Sequence, residues 1–149
     1  MRERLMIFFT LILITHGGAQ EMKDSKKSIK IRIIKDSTET VFLMENNAAV
    51  RDFMALLPIT LNLSDYNRTE KVSGLPSKLS TEGLPSGYDP DVGDICLYAP
   101  WGNLCIFYRD FEYAGGLVKL GHAVSGIELL RKLDGPVKIV AEDNQGETF

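Results

Sequence analysis

The stretch that decides the fold runs from Gly93 to Gly121 and reads GDICLYAPWGNLCIFYRDFEYAGGLVKLG. Two runs within it, Asp94–Tyr98 and Leu104–Tyr108, are rich in β-branched and aromatic residues and flank a Pro-Trp-Gly-Asn turn. Short runs of this composition on either side of a turn predict a β-hairpin. We expect this hairpin at the centre of the domain, followed by a further short strand at Val118–Leu120.

The residues before and after this stretch predict more strands. Ser28–Lys35 alternates isoleucines with charged residues, and Thr38–Met44 follows a two-residue turn, so the domain opens with a second hairpin. Ile59–Leu63 and Val137–Glu142 alternate in the same way. Strands therefore dominate the predicted elements.

Two short helices are predicted between the strands. In the segment 48–57, apolar residues recur with helical spacing, and either Asn46 or Asn47 can cap it. The segment Ser125–Leu133 begins with a serine that can cap a helix, and Glu128 stands at the capping-box spacing. We expect helices at both places.

The remaining long segment, Ser64–Pro90, contains three glycines and three prolines and few apolar runs. This composition favours a long excursion or a set of turns over regular elements. Such a loop either carries a binding surface or has no function of its own. The predominance of strands, with two short helices and short connections, favours a mainly β fold, a closed or nearly closed antiparallel barrel with helices over its ends.

The N-terminus has the three-part layout of a secretory signal peptide at residues 1–19. Arg2 and Arg4 precede the apolar run Leu5–Thr15, and small residues lead to a cleavage position after Ala19. The run is shorter than the roughly 20 apolar residues that span a bilayer. We expect export to the periplasm or the extracellular space, with no stable membrane insertion after cleavage.

The rest of the chain has the size of one domain. Residues 20–27 are charged and aperiodic and predict a flexible tether, which leaves 28–149 for the barrel domain. The formal net charge of the chain is −3, and no long basic run occurs. We therefore expect no nucleic-acid partner.

The only two cysteines lie on opposite arms of the central hairpin. A turn centred on residues 100–101 makes Cys96 and Cys105 cross-strand neighbours on one face. Two hypotheses stay open: a disulfide, which export would permit, or two buried free thiols. Their spacing does not resemble a zinc site, so no metal is expected.

Elimination leaves few candidates for catalysis. His122 is the only histidine after the predicted cleavage point, and a satisfied or exposed imidazole is the simplest interpretation of it. No phosphate-binding or dinucleotide-binding glycine loop occurs, so no cofactor is expected. The catalytic residues stay unknown.

The residues that do suggest a site are aromatic. Trp101, Tyr108 and Tyr113, with Arg109 between them, are the ligand-binding candidates, since exposed rings beside an arginine suit a peptide, a proline ring or a planar ligand. Core packing or support of the turn is the alternative role for each ring.

The chain resembles exported bacterial proteins with a cyclophilin-like fold, a largely uncharacterised family. The matching segments, in order, are Val50–Leu57 with Pro58–Leu61, Asp65-Tyr66, Thr69–Lys71, Leu75-Pro76, Leu79–Gly83, Gly87–Pro90, Gly93-Asp94, Tyr98–Asn103 and Ile106–Tyr108. The resemblance implies an eight-stranded barrel closed by helices, with two further strands within Thr69–Leu79.

The resemblance transfers no activity to particular residues. The Phe-Met-x-Gln segment of cyclophilin prolyl isomerases does not occur, Arg51 lies on a predicted helix, and Arg109 follows a strand. We expect a noncatalytic module that binds a peptide or small ligand, and the alternative is a weak peptidyl-prolyl cis-trans isomerase.

Overall fold

A computed structural model describes residues 28–142. The predicted signal peptide and tether, at residues 1–27, lie outside the described residues. The described part contains ten strands, one α-helix and one 3₁₀ helix. In chain order these are β1 Ile29–Lys35, β2 Thr38–Met44, α1 Ala48–Ala55, β3 Ile59–Tyr66, β4 Glu70–Gly74, β5 Gly87–Tyr88, β6 Asp94–Tyr98, β7 Asn103–Phe107, β8 Ala114–Gly115, β9 Leu117–Ser125, the 3₁₀ helix Ile127–Lys132 and β10 Gly135–Ala141.

Eight of these strands close into an antiparallel barrel in the order β1-β10-β3-β4-β7-β6-β9-β2. The short strands β5 and β8 pair separately as a two-stranded ribbon. The predicted mainly β fold, a closed antiparallel barrel of about eight strands with two short helices, is confirmed.

The barrel interior is filled by alternate residues of the strands, as a period of two requires. Ile31, Phe42, Leu104 and Ile106 are fully buried there. Helix α1 adds Phe53 to the same core.

The predicted cap of α1 is confirmed. The side chain of Asn47 accepts a hydrogen bond from the backbone N–H of Val50 at 2.9 Å, and its amide donates to the carbonyl of Lys119 at 3.3 Å. The cap therefore also fastens the start of the helix to β9.

The prediction of an irregular 64–90 segment is wrong in part. Strand β3 continues to Tyr66, and β4 follows after a tight turn in which Asn67 and Arg68 both have φ of +53°. Consecutive left-handed residues are the geometry of a type I′ hairpin turn. Strand β4 is one of the two strands that the family resemblance placed within 69–79.

The predicted helix at Ser125–Leu133 is also corrected. Ser125 is the last residue of β9, where it pairs with Val41, so it does not cap a helix. Gly126 follows with φ of +75°, and a β-carbon there would lie 2.7 Å from the carbonyl oxygen of Glu39. The shorter 3₁₀ helix begins only after this glycine.

Candidate functional site

A groove of about 200 Å³ lies on the outer surface of the barrel, over β4, β7 and β6. Strands, turns and the segment after β7 all contribute to it. The lining residues are Tyr66, Asn67, Thr69, Glu70, Val72, Tyr98, Trp101, Asn103, Cys105, Phe107, Phe111, Ala114 and Leu117.

The floor of the groove follows from strand register. Val72 of β4 pairs with Cys105 of β7, and Glu70 pairs with Phe107. Ile106 lies between these two β7 residues in sequence and points into the barrel core, so Cys105 and Phe107 point outward. The floor is therefore apolar, with one carboxyl group beside it.

Aromatic rings form the walls. Trp101, at the β6–β7 turn, is 63% exposed. Its ring makes edge contacts with Tyr98, at 5.2 Å between centroids and 87°, and with Tyr66, at 6.3 Å and 86°. Phe107 and Phe111 stack at 6.1 Å. Perpendicular aromatic contacts of this kind are favourable, so the walls are held in place by one another.

Glu70 is the ionisable carboxyl of the groove. It is half-buried, and no residue in 28–142 forms a hydrogen bond or ion pair with its carboxyl group. Burial raises its pKa to about 7, because the charged form loses hydration and gains no partner. The groove thus contains a half-buried carboxyl group that has no protein partner within residues 28–142.

The two cysteines pair directly across β6 and β7, as predicted. Both are buried free cysteines in the structure. Burial, reinforced by the neighbouring Glu70 carboxyl, raises the pKa of Cys105 to about 12, and burial also raises the pKa of Cys96. The thiols are therefore neutral near pH 7 and poor nucleophiles. A disulfide between them stays a prediction.

Of the four predicted binding residues, the structure brings only Trp101 into the groove. Tyr108 lies elsewhere: its hydroxyl donates to Asp65 at 2.5 Å. Tyr113 is exposed in an acidic depression next to Phe111, and the exposed Arg109 does not line the groove.

Sequence reasoning did not find Tyr66 or Glu70 as site residues. The signal that could have found them is the alternation of β3 continued past Leu63, which places Tyr66 on the outer face. Pairing of β3 with β4 then sets Tyr66 opposite Glu70. The residue pattern did not indicate β4, and the family resemblance placed a strand within 69–79 without giving its register, so this pairing could not be predicted.

A second polar cluster centres on Asp94, which is fully buried. Its carboxylate accepts from the Tyr88 hydroxyl at 2.7 Å and from the Asp91 backbone N–H at 2.9 Å. The Nδ1 atom of His122 lies 2.7 Å from it and the Lys119 ammonium 3.4 Å from it. Burial alone would raise the pKa of Asp94, but these hydrogen bonds and Lys119 lower it.

This cluster fastens the β5–β8 ribbon to the barrel. Tyr88 belongs to β5, and both burial and its bond to the Asp94 carboxylate raise its pKa to about 12, so it stays a donor. The ribbon in turn supplies Ala114 to the groove lining. The simplest prediction for His122, a satisfied or exposed imidazole, agrees with a side chain that is 42% exposed and bonded to Asp94.

Within residues 28–142, no three His, Cys, Asp or Glu side chains come together in a way that could hold a metal ion. None of the helices in the same range is long and apolar enough to cross a membrane.

The fold defines a small mainly β domain built on a closed barrel. More particularly, the chain belongs to the Cyclophilin-like family, whose model matches residues 33–142. A similar solved structure is the solution structure of the hypothetical protein AF2241 from Archaeoglobus fulgidus, with a TM-score of 0.60 and 18% identity. The similarity covers 77% of this chain and 94% of the archaeal one. No curated protein matches the chain.

Proposed function

We propose that this domain is a noncatalytic binding module that holds one side chain of an extended peptide in the outer groove. The observation that carries the proposal is the groove itself, with its apolar floor at Val72 and Phe107 and its exposed wall at Trp101. Exposed aromatic surface on a concave site is typical of ligand recognition.

The volume limits what the groove can hold. Pockets that enclose a whole drug-sized ligand measure roughly 300–1,000 Å³. At about 200 Å³, this groove suits one side chain or ring, with the rest of the ligand outside it. The amides of Asn67 and Asn103 at its lining can bond to a peptide backbone there.

Trp101 provides the assay, since it is the only tryptophan in the chain. We expect its fluorescence to change when blocked tripeptides with a central apolar or basic residue are added. Val72→Trp fills the floor and should abolish binding measured by calorimetry. Val124→Trp, an exposed position outside the groove, is the matched control and should bind normally. A panel without any binding peptide would refute the proposal.

The second candidate function is weak peptidyl-prolyl cis-trans isomerase activity, proposed from membership of the Cyclophilin-like family. A protease-coupled assay with proline peptides tests it, and a rate equal to that of buffer would end it. Arg109→Ala should leave both binding and any such rate unchanged, since Arg109 lies outside the groove lining.

We further propose that the domain acts after export, in the periplasm or outside the cell. The support is the arrangement of residues 1–19, with positive, apolar and small-residue regions in that order. N-terminal sequencing of the protein made in its native cell tests this, with Gln20 as the expected first residue. An intact Met1 in a cytoplasmic fraction would contradict it.

A further inference from the structure

We propose that the side chain held in the groove is cationic: the ammonium group of a peptide lysine, bound between the aromatic walls and Glu70. This inference rests on the proposed peptide-binding function and names the chemistry of its ligand. It depends on the position of Glu70, the three rings, and the charge around them.

Register fixes the position of Glu70 among aromatic neighbours. It pairs with Tyr66 on one side and with Phe107 on the other, and all three line the groove. Directly opposed residues on one face of a sheet have β-carbons about 4.5–5.5 Å apart. The carboxyl group therefore lies in a row of aromatic side chains on the outer face.

The rings offer faces to a cation. Trp101 meets both Tyr66 and Tyr98 nearly at right angles, so the three rings form adjoining walls of one groove. A cation over the face of a tryptophan or tyrosine is attracted by the ring quadrupole, most strongly with tryptophan. An ammonium on an apolar chain would satisfy both the rings and the apolar floor.

Charge around the groove favours the same ligand. The lining contains no lysine or arginine, and Glu70 has no partner among residues 28–142. Phe111 lines both this groove and a neighbouring acidic depression, whose carboxyl groups belong to Asp89, Asp91, Asp110 and Glu112. The ammonium would supply the counter-charge that Glu70 lacks, and this lowers the cost of burying the ionised carboxylate.

The test compares two blocked tripeptides, Gly-Lys-Gly and Gly-norleucine-Gly, which share the same apolar chain and differ in the ammonium. Binding is followed by Trp101 fluorescence at pH 8. We expect the lysine peptide to bind about 5- to 30-fold more tightly, the range for a partly desolvated cation–π contact. Glu70→Gln should reduce this preference severalfold without weakening the norleucine peptide.

Tyr66→Leu is a second variant, at an exposed position that tolerates change, and it should also reduce the preference. Glu82→Gln, at an exposed position outside the groove, is the control and should keep it. Equal binding of both peptides, or a lysine preference that survives Glu70→Gln, would overturn the inference and leave the proposed function standing. If neither peptide binds, both the inference and the proposed function are overturned.

Discussion

The Glu70→Gln variant should gain stability relative to wild type as the pH rises from acidic to alkaline. Burial raises the pKa of Glu70 from an ordinary 4.5 to about 7 in the folded state. The folded state therefore holds this proton more tightly than the unfolded chain does. The contribution of protonated Glu70 to the free energy of unfolding is fully present below about pH 4.5 and is lost as the pH rises through about 7.

The size of the loss follows from the two pKa values. The interval from 4.5 to about 7 corresponds to at most about 3 kcal/mol, at 1.36 kcal/mol for each pH unit. Because Glu70 is only half-buried, water screens part of this, and we expect about 1–2 kcal/mol. Glutamine has the same shape and no charge, so the variant escapes the loss.

The assay is urea unfolding of wild type and Glu70→Gln at pH 5 and pH 8.5. The difference in unfolding free energy between variant and wild type should shift by about 1–2 kcal/mol in favour of the variant between these two pH values. Other titrating groups are shared and cancel in this comparison. Glu82→Gln should show no such shift. If the shift for Glu70→Gln is as small as the shift for Glu82→Gln, the claim that burial in the groove destabilises the ionised Glu70 carboxylate is refuted.

Three further predictions concern the polar groups around the barrel. Lys71→Met should change stability by less than about 1 kcal/mol in urea unfolding, since the buried charge is removed with its ion pairs. Replacing both of its partners, Asp65 and Asp134, by asparagine should cost about 3 kcal/mol or more, because the buried charge of Lys71 is then left unpaired. Asp94→Asn should cost about 2–4 kcal/mol at pH 7. Because the pKa of the folded carboxylate is lowered from its ordinary 3.8, this loss should begin to shrink only below pH 3.8 and should disappear as the pH falls further and the folded carboxylate takes up a proton. In reduced protein, the two cysteines should react with a thiol reagent only after unfolding, since both are buried and both pKa values are raised; rapid labelling of the folded, reduced protein would contradict this.

Alternation of apolar and polar residues, together with β-branched and aromatic composition around a turn, was enough to predict most of the barrel. Strand β2 has the bounds that the pattern indicated, and β1, β6 and β7 differ from the prediction by no more than one residue at either end. The residue pattern did not indicate strand β4, because the pattern is inverted there: Lys71 points into the barrel and Val72 lies under the groove. A local pattern cannot reveal a polar residue that is buried because distant carboxylates neutralise it.

The site was less predictable than the fold, and for a related reason. Trp101 was identified because an aromatic residue in a turn between strands is expected to be exposed. Tyr108 directly follows β7 of the same hairpin, but its hydroxyl donates a hydrogen bond to Asp65, which is 43 residues earlier in the chain. Only the closure of the barrel, which sets β4 between β3 and β7, decides which rings face the groove.

Two neighbouring residues of β4, Lys71 and Glu70, show why the charge of a ligand would matter in the groove. Lys71 is almost fully buried, and burial alone would lower its pKa, but Asp134 at 2.8 Å and Asp65 at 3.0 Å raise it. Glu70 points to the opposite face, as successive strand residues must, so it cannot pair with the lysine beside it. The same strand thus holds one charge that the fold has neutralised and one that it has not. Under the proposed function, a bound ammonium group would gain electrostatic energy from the second charge and not from the first, so ligands that differ only in charge are the pair to compare in a binding screen.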